Sequence, residues 1–179
     1  MCKPLGKRPA RTITQSYAPL PVEPEIGTTS LMLIRRPDSS ECPAVQTLVQ
    51  TVVDEMYGGL WAQPPLDIGE QDWSRSWVVV IEDEIVGVAL TSDEWLDDLW
   101  IERRHRGQGI GSSLLLQAES EIANRGFRSA RLRVVVSNVA AIVFYRRSGW
   151  QAEREYTHES LPVFMLEMSK RMNLPDVLR

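Results

Sequence analysis

Cysteine and histidine are scarce in this chain: its 179 residues hold two of each, Cys2 and Cys42, His105 and His158. The cysteines have no metal-ligand spacing and are too few for a disulfide framework, so no metal is expected and the chain reads as reduced and cytoplasmic. Neither cysteine has a histidine nearby in sequence, and no Gly-x-Ser-x-Gly occurs. A covalent nucleophile is therefore not expected. No apolar run approaches the roughly 20 residues of a membrane span, which excludes a membrane partner of that kind. Positive charge is also short. The net charge is -4 and the pI about 5.3, which argues against nucleic acid held by bulk charge.

What is present is an ordinary core-forming composition, 43% hydrophobic and 25% charged. Charge is uneven along it. Lys3, Lys7, Arg8 and Arg11 face no acid within residues 1–11, whereas residues 12–179 carry 16 bases against 24 acids. Residues 1–28 hold five prolines and no apolar periodicity, and read as a basic, flexible extension. A single domain is expected over residues 29–172, with 173–179 as a tail.

Periodicity sets out the elements of that domain. LMLIRR from Leu31 reads as a strand. Ala44, Val45, Leu48, Val49, Val52, Val53 and Met56 then repeat at helical spacing, with Pro43 in the first turn and Gly58-Gly59 as the stop. Residues 57–73 read as a loop with short helical pieces. Strands are expected at Trp77–Ile81, Ile85–Leu90 and Trp95–Ile101, then a helix through Leu114, Leu115, Ala118 and Ile122 that stops at Gly126. Arg131–Val136 reads as a strand and Val139–Arg147 as a helix entered at Asn138. Two strands, Gln151–Tyr156 and Val163–Met168, close the series. This order describes an α/β mixed sheet with helices on its faces.

Between the third of the grouped strands and the next helix stands RRHRGQGIGSSLL, residues 103–115. Glycines before a helix let backbone N–H groups and the helix dipole approach an anion. A Walker loop would need Gly-Lys-Ser/Thr, but Gly111 is followed by Ser112 and Ser113. A dinucleotide fingerprint would need a third glycine where serine stands, and an acid after the following strand where Ser137 and Asn138 stand. The remaining pattern is Arg/Gln-x-x-Gly-x-Gly/Ala, met by Arg106, Gly109 and Gly111.

With the preceding strand LDDLWI and the later segment NVAAIVFYRRSGW, this loop resembles the GNAT superfamily of acetyl-CoA-dependent N-acetyltransferases, over about Leu31 to Met168. The resemblance implies a mostly antiparallel sheet of six or seven strands with a splayed central pair, here Trp95–Ile101 and Arg131–Val136. It also implies acetyl-CoA as co-substrate. The Arg106–Gly111 backbone, through Gly107, Gln108, Gly109 and Ile110, would then cradle its pyrophosphate, with Arg103 adding charge and Ser112 a further coenzyme-binding residue. Leu99, Trp100, Ile101 and Asn138 would meet its pantetheine arm. Asn138 reads equally well as a helix N-cap. Tyr145, in the family's aromatic-Tyr-x-x-x-Gly run, would protonate the leaving thiolate; a phenol is protonated at neutral pH.

Acetyl transfer needs a neutral amine, hence a base, and Asp97 and Asp98 are the candidates. Strand alternation sends them to opposite faces unless a bulge intervenes. The four acids among residues 93–98 also favour a cationic acceptor. The resulting expectation is direct transfer from acetyl-CoA to a small cationic primary amine, polyamine-like or aminoglycoside-like. Protein N-termini or lysines are the alternative acceptors, and a non-catalytic acyl-CoA-binding module is the alternative class. Trp61 and Trp73 are candidate acceptor-site residues, and a homodimer is a candidate assembly.

Overall fold

The computed structural model describes residues 31–58, 71–159 and 161–173. The expected extension at 1–28, Trp61, and the tail from 174 lie outside these described residues. The elements are β1 (Leu33–Arg35), α1 (Cys42–Tyr57), β2 (Trp77–Ile81), β3 (Glu84–Ser92), β4 (Trp95–Ile101), α2 (Ile110–Asn124), β5 (Ser129–Val135), α3 (Val139–Arg147), β6 (Gln151–Thr157) and β7 (Phe164–Arg171). Short 3-10 turns occupy Ser39–Glu41, Trp73–Arg75 and Arg103–His105. One seven-stranded sheet results, in the order β1-β2-β3-β4-β5-β7-β6. Every neighbouring pair is antiparallel except β4 and β5, which are parallel.

Alternation along the central strands explains why helices cover both faces. Val78, Val80, Val88 and Leu90 meet α1, which sends Val45, Val49, Val53 and Tyr57 inward at four-residue intervals. The intervening Val79, Val86 and Ala89 point the other way, onto Leu114, Leu115, Ala118 and Ile122 of α2. Burying each such aliphatic side chain stabilises the fold by roughly 1.5–3 kcal/mol, so the two helices clamp the sheet from opposite sides. Trp73 is 3% exposed within the α1-side core, and its indole N–H donates to Gln46. It is a packing residue of that layer.

Between β2 and β3 the chain reverses in two residues, Glu82 and Asp83, both at positive φ (50° and 64°). That is the backbone a two-residue hairpin of matching twist requires.

Strand β4 carries two irregularities. Leu90 pairs with Asp98 but Thr91 pairs with Leu96, so Asp97 is an extra residue, a bulge. In consequence Leu96, Leu99 and Ile101 all belong to the α2-side core, while Trp100 packs with the α1 side. Second, β4 and β5 pair only through Trp95–Arg131 and Leu96–Leu132. From Asp97 onward β4 keeps its β3 ladder, and no pairing to β5 continues. Bulges bend the strand that carries them and end local pairing, so the splay begins where the extra residue sits.

Candidate active site

The splay opens a groove of about 500 Å³ whose walls include Leu99, Trp100 and Ile101 from β4 and Asn138, Ala141, Phe144 and Tyr145 from α3. At one end lie Arg106, Gly107, Gly109, Gly111 and Ser112; Val52 and Met56 of α1 complete the lining. Sequence-separated segments are thus gathered by one event, the parting of two parallel strands.

The glycine end is built for an anion. Gly107 and Gly109 have φ of 76° and 84°, a left-handed backbone that costs other L-residues roughly 1–2 kcal/mol. Gly109 is the N-cap of α2 and supplies no side-chain cap, so the first amides of α2 keep their donors for a ligand. Gly111 is different in kind. It sits in regular helix, and a Cβ there would meet Phe144 and Ile101 at ordinary contact distances, 3.7 and 3.8 Å. Arg106 donates from Nε to the Ile101 carbonyl at 2.9 Å, and its guanidinium lies 3.7 Å from the Glu55 carboxylate.

Three of the sequence-derived candidates face elsewhere. Arg103 lines a separate hollow between α1 and the start of β3. Gln108 donates from Nε2 to the Arg104 carbonyl at 3.1 Å and borders a third hollow, beside Ile81. The Ile110 side chain is buried in the α2-side core at 2% exposure, leaving only its backbone toward the loop.

Along the groove, β4 beyond Leu96 has no strand partner on the β5 side. Apart from the Ile101 carbonyl, which Arg106 holds, that edge suits an extended chain with amide groups. Asn138 opens α3: its Oδ1 accepts from Ala141 N at 3.1 Å, while its Nδ2 donates to the Tyr57 hydroxyl at 3.0 Å. Both ends of that amide are engaged within the protein.

Tyr145 occupies the far end, 8% exposed, with Phe144 and Trp150 rings 5.2 and 6.0 Å away. Burial pushes its pKa well above the usual phenol value, and Tyr57 and Asp98 nearby push it the same way. It is therefore a protonated phenol throughout the neutral range.

The two aspartates part company at the bulge. Asp98 is half-buried and accepts from Trp100 Nε1 at 2.7 Å. Burial raises its pKa, the Trp100 hydrogen bond opposes this, and Asp97 adds to the rise. Asp97 is exposed, hydrogen-bonded to Ser92, with Arg133 and Arg125 nearby; burial of its carboxyl still leaves its pKa raised. The carboxylate that addresses Tyr145 is Asp98. Tyr57, which sequence reasoning assigned to the loop after α1, completes this cluster. Its ring stands edge-on to Trp100 at 6.3 Å and 82°.

Among the described residues, no group of three or more His, Cys, Asp or Glu is placed to hold a metal, and no helix is long and apolar enough to cross a membrane. The arrangement offers an anion cradle, an extended-chain edge, and a phenol in the groove wall with a carboxylate near it.

Known proteins share this fold. Ard1 from Thermoplasma volcanium superposes with a TM-score of 0.65 at 21% identity, covering 79% of this chain and 98% of its own. YncA from Salmonella typhimurium, solved with its cofactor acetyl-CoA, gives 0.65 at 17% identity, covering 82% and 99%. The ribosomal-protein-S18-alanine N-acetyltransferase from Escherichia coli gives 0.58 at 16%, covering 81% and 96%. No curated protein sequence matches the chain. The model of the acetyltransferase (GNAT) family matches residues 46–150, more than half of the chain, from within α1 to the end of the Tyr145 segment. The chain belongs to the acetyltransferase (GNAT) family, a family of acyltransferases.

Proposed function

We propose that the protein transfers the acetyl group of acetyl-CoA to a primary amine. One observation carries this reading: the uncapped α2 N-terminus behind Gly107 and Gly109, the β4 residues Leu99–Ile101, and Tyr145 line one groove, with the Asp98 carboxylate close enough to Tyr145 to act on it electrostatically. The backbone amides of α2 with Arg106 would take the pyrophosphate, and the edge at Leu99–Ile101 the pantetheine amides. Bound there, acetyl-CoA supplies an activated acyl group.

Asp98 removes the proton that the amine loses as its nitrogen bonds to the acetyl carbon. Tyr145 gives its hydroxyl proton to the sulfur as the carbon–sulfur bond breaks. Return of the proton from Asp98 to Tyr145, directly or through solvent, restores both groups. Products are the N-acetyl amine and the free thiol; a cationic acceptor first yields its extra proton through Asp98 to solvent, so that atoms and charge balance. The raised pKa of Asp98 suits a base that must hold a proton transiently, and the protonated state of Tyr145 suits an acid.

For the acceptor we infer a small cationic amine, drawn by the acids of residues 93–98. A second reading, an amine on a protein, is favoured by the likeness to the S18-alanine enzyme. Thiol release with acetyl-CoA, followed over a panel of polyamines, aminoglycosides and peptides with free N-termini, tests both. Turnover with the small amines alone supports the first, and turnover with peptides alone the second. No release with any amine, and no thermal stabilisation by acetyl-CoA, overturns the assignment of acetyl transfer.

A further inference from the structure

The splay that opens the groove also removes the backbone ladder that would hold its two sides in register. Beyond Leu96 and Leu132 the sheet no longer ties β4, which carries Asp98, to β5 and the α3 after it, which carries Tyr145. Acid–base chemistry needs these groups held to within a fraction of an ångström. Some other contact must span the gap.

Two side chains do so. Asn138 is fixed at the start of α3 by its own cap bond to Ala141 N, and its amide donates to the Tyr57 hydroxyl at the end of α1. Tyr57 is 8% exposed and stands edge-on to Trp100, whose indole N–H holds the Asp98 carboxylate at 2.7 Å. An unbroken series of contacts therefore runs from α3 through Asn138, Tyr57 and Trp100 to Asp98. Tyr145 stands seven residues after Asn138, two turns along the same helix, so orienting the start of α3 orients its phenol.

We propose that Tyr57 is a positioning residue, a clasp that through Asn138 and Trp100 sets the separation of Asp98 and Tyr145 across the splayed strands. Its catalytic consequence rests on the acetyl-transfer reading above; its structural consequence does not.

Two variants break the clasp while sparing its surroundings. Tyr57→Phe keeps the ring against Trp100 and removes the hydroxyl. Asn138→Ser keeps a good N-cap for α3 and removes the amide that reaches Tyr57. In each, amide hydrogen exchange of residues 139–147 is expected to quicken by about fivefold, with exchange in α2 unchanged. Thiol release should show kcat lowered by about tenfold in both, and in Tyr57→Phe the KM for acetyl-CoA should stay within about twofold, because Tyr57 lies outside the groove lining. The double variant should lose no more than either single one, since both cut one link. Unchanged exchange in α3, or kcat losses that multiply in the double variant, would overturn the clasp. Absence of thiol release from the unaltered protein overturns acetyl transfer instead, and the exchange measurement still decides the clasp.

Discussion

Asp98 lies near enough to Tyr145 to raise its pKa electrostatically, although one belongs to β4, the other to α3, and the sheet between them has parted. The bulge at Asp97 creates this relationship. Without the extra residue Leu96 and Asp98 would share a face, and the carboxylate would enter the α2-side core. With it, Leu96 stays in that core and Asp98 turns with Trp100 toward the end of α1.

Tyr145→Phe removes a single hydroxyl from an otherwise packed ring. Because the ring contacts with Phe144 and Trp150 survive, stability should change little. If the hydroxyl protonates the departing sulfur, kcat should drop by about 10²-fold, while acetyl-CoA affinity changes by less than about twofold. Steady-state kinetics beside calorimetric titration with acetyl-CoA separates the two. Equal losses in both would mark Tyr145 as packing only.

Asp98→Asn should alter the pH dependence of both rate and stability. The base must be ionised, so the unaltered enzyme should slow as pH falls through the raised pKa of Asp98. The variant should be slow at neutral pH and recover toward alkaline pH, where the amine loses its proton unaided. For stability the sign comes from linkage. Between the ordinary carboxylate pKa and the raised one, the folded protein binds more protons than the unfolded chain. Stability therefore declines as pH rises through that window, and Asp98→Asn should melt higher than the unaltered protein above it. Asp97→Asn, at the exposed bulge, should keep the original pH–rate profile. A profile altered by Asp97→Asn and not by Asp98→Asn would exchange their roles.

Much of the fold was legible from spacing alone. RRHRGQGIGSSLL announces a loop before a helix because glycine is the residue that tolerates the φ of 76° and 84° found at Gly107 and Gly109. The seven strands emerge from alternation and β-branched runs. The bulge was legible only as an alternative: the Asp97-Asp98 doublet breaks the alternation of LDDLWI without saying whether either residue is extruded. Pairing with β3 decides it. Tyr57 was hidden for another reason. It extends the series Val45, Val49, Val53 at four-residue spacing, yet it precedes Gly58-Gly59 and so reads as the first residue of a loop. Its partner Asn138 is 81 positions away, a distance that no local pattern bridges. Arg103 shows another limit: charge beside a glycine loop does not say which hollow a long side chain borders, and here it borders one between α1 and the start of β3.

Gly109→Ala and Gly111→Ala should separate backbone strain from ligand clash. At Gly109 a Cβ meets nothing within 4 Å, so the penalty is conformational, from a φ of 84°. That variant should lose about 1–2 kcal/mol of stability and also bind acetyl-CoA less well. At Gly111 the backbone is helical and the added methyl rests at 3.7 Å from Phe144. Stability should hold or rise slightly, as expected for Gly→Ala in a helix, while the methyl narrows the groove and raises KM for acetyl-CoA. Denaturant melts with and without acetyl-CoA read both effects. Unimpaired acetyl-CoA binding in both variants would place the pyrophosphate elsewhere.

Glu119→Ala should be the most damaging of these changes to the fold, and for reasons outside the groove. Glu119 is 9% exposed, accepts from Trp150 Nε1 at 2.8 Å and pairs with Lys170 Nζ at 2.7 Å. One carboxylate thus joins α2, the segment leaving α3, and β7. Removing it strands the indole N–H and leaves an ammonium without its partner. Breaking such a pair from one side costs about 3–5 kcal/mol where burial is full, and Lys170, with 26% of its side chain exposed, can turn to water and soften the loss. A destabilisation of about 2–3 kcal/mol in urea is therefore expected. Glu119→Gln, which keeps an acceptor for Trp150, should recover roughly 1 kcal/mol of it. Because Trp150 also touches the Tyr145 ring, activity in the Glu119→Gln variant should track whether the indole stays in place. Equal stability of the alanine and glutamine variants would mean that the ion pair with Lys170, and not the indole bond, is what this carboxylate contributes.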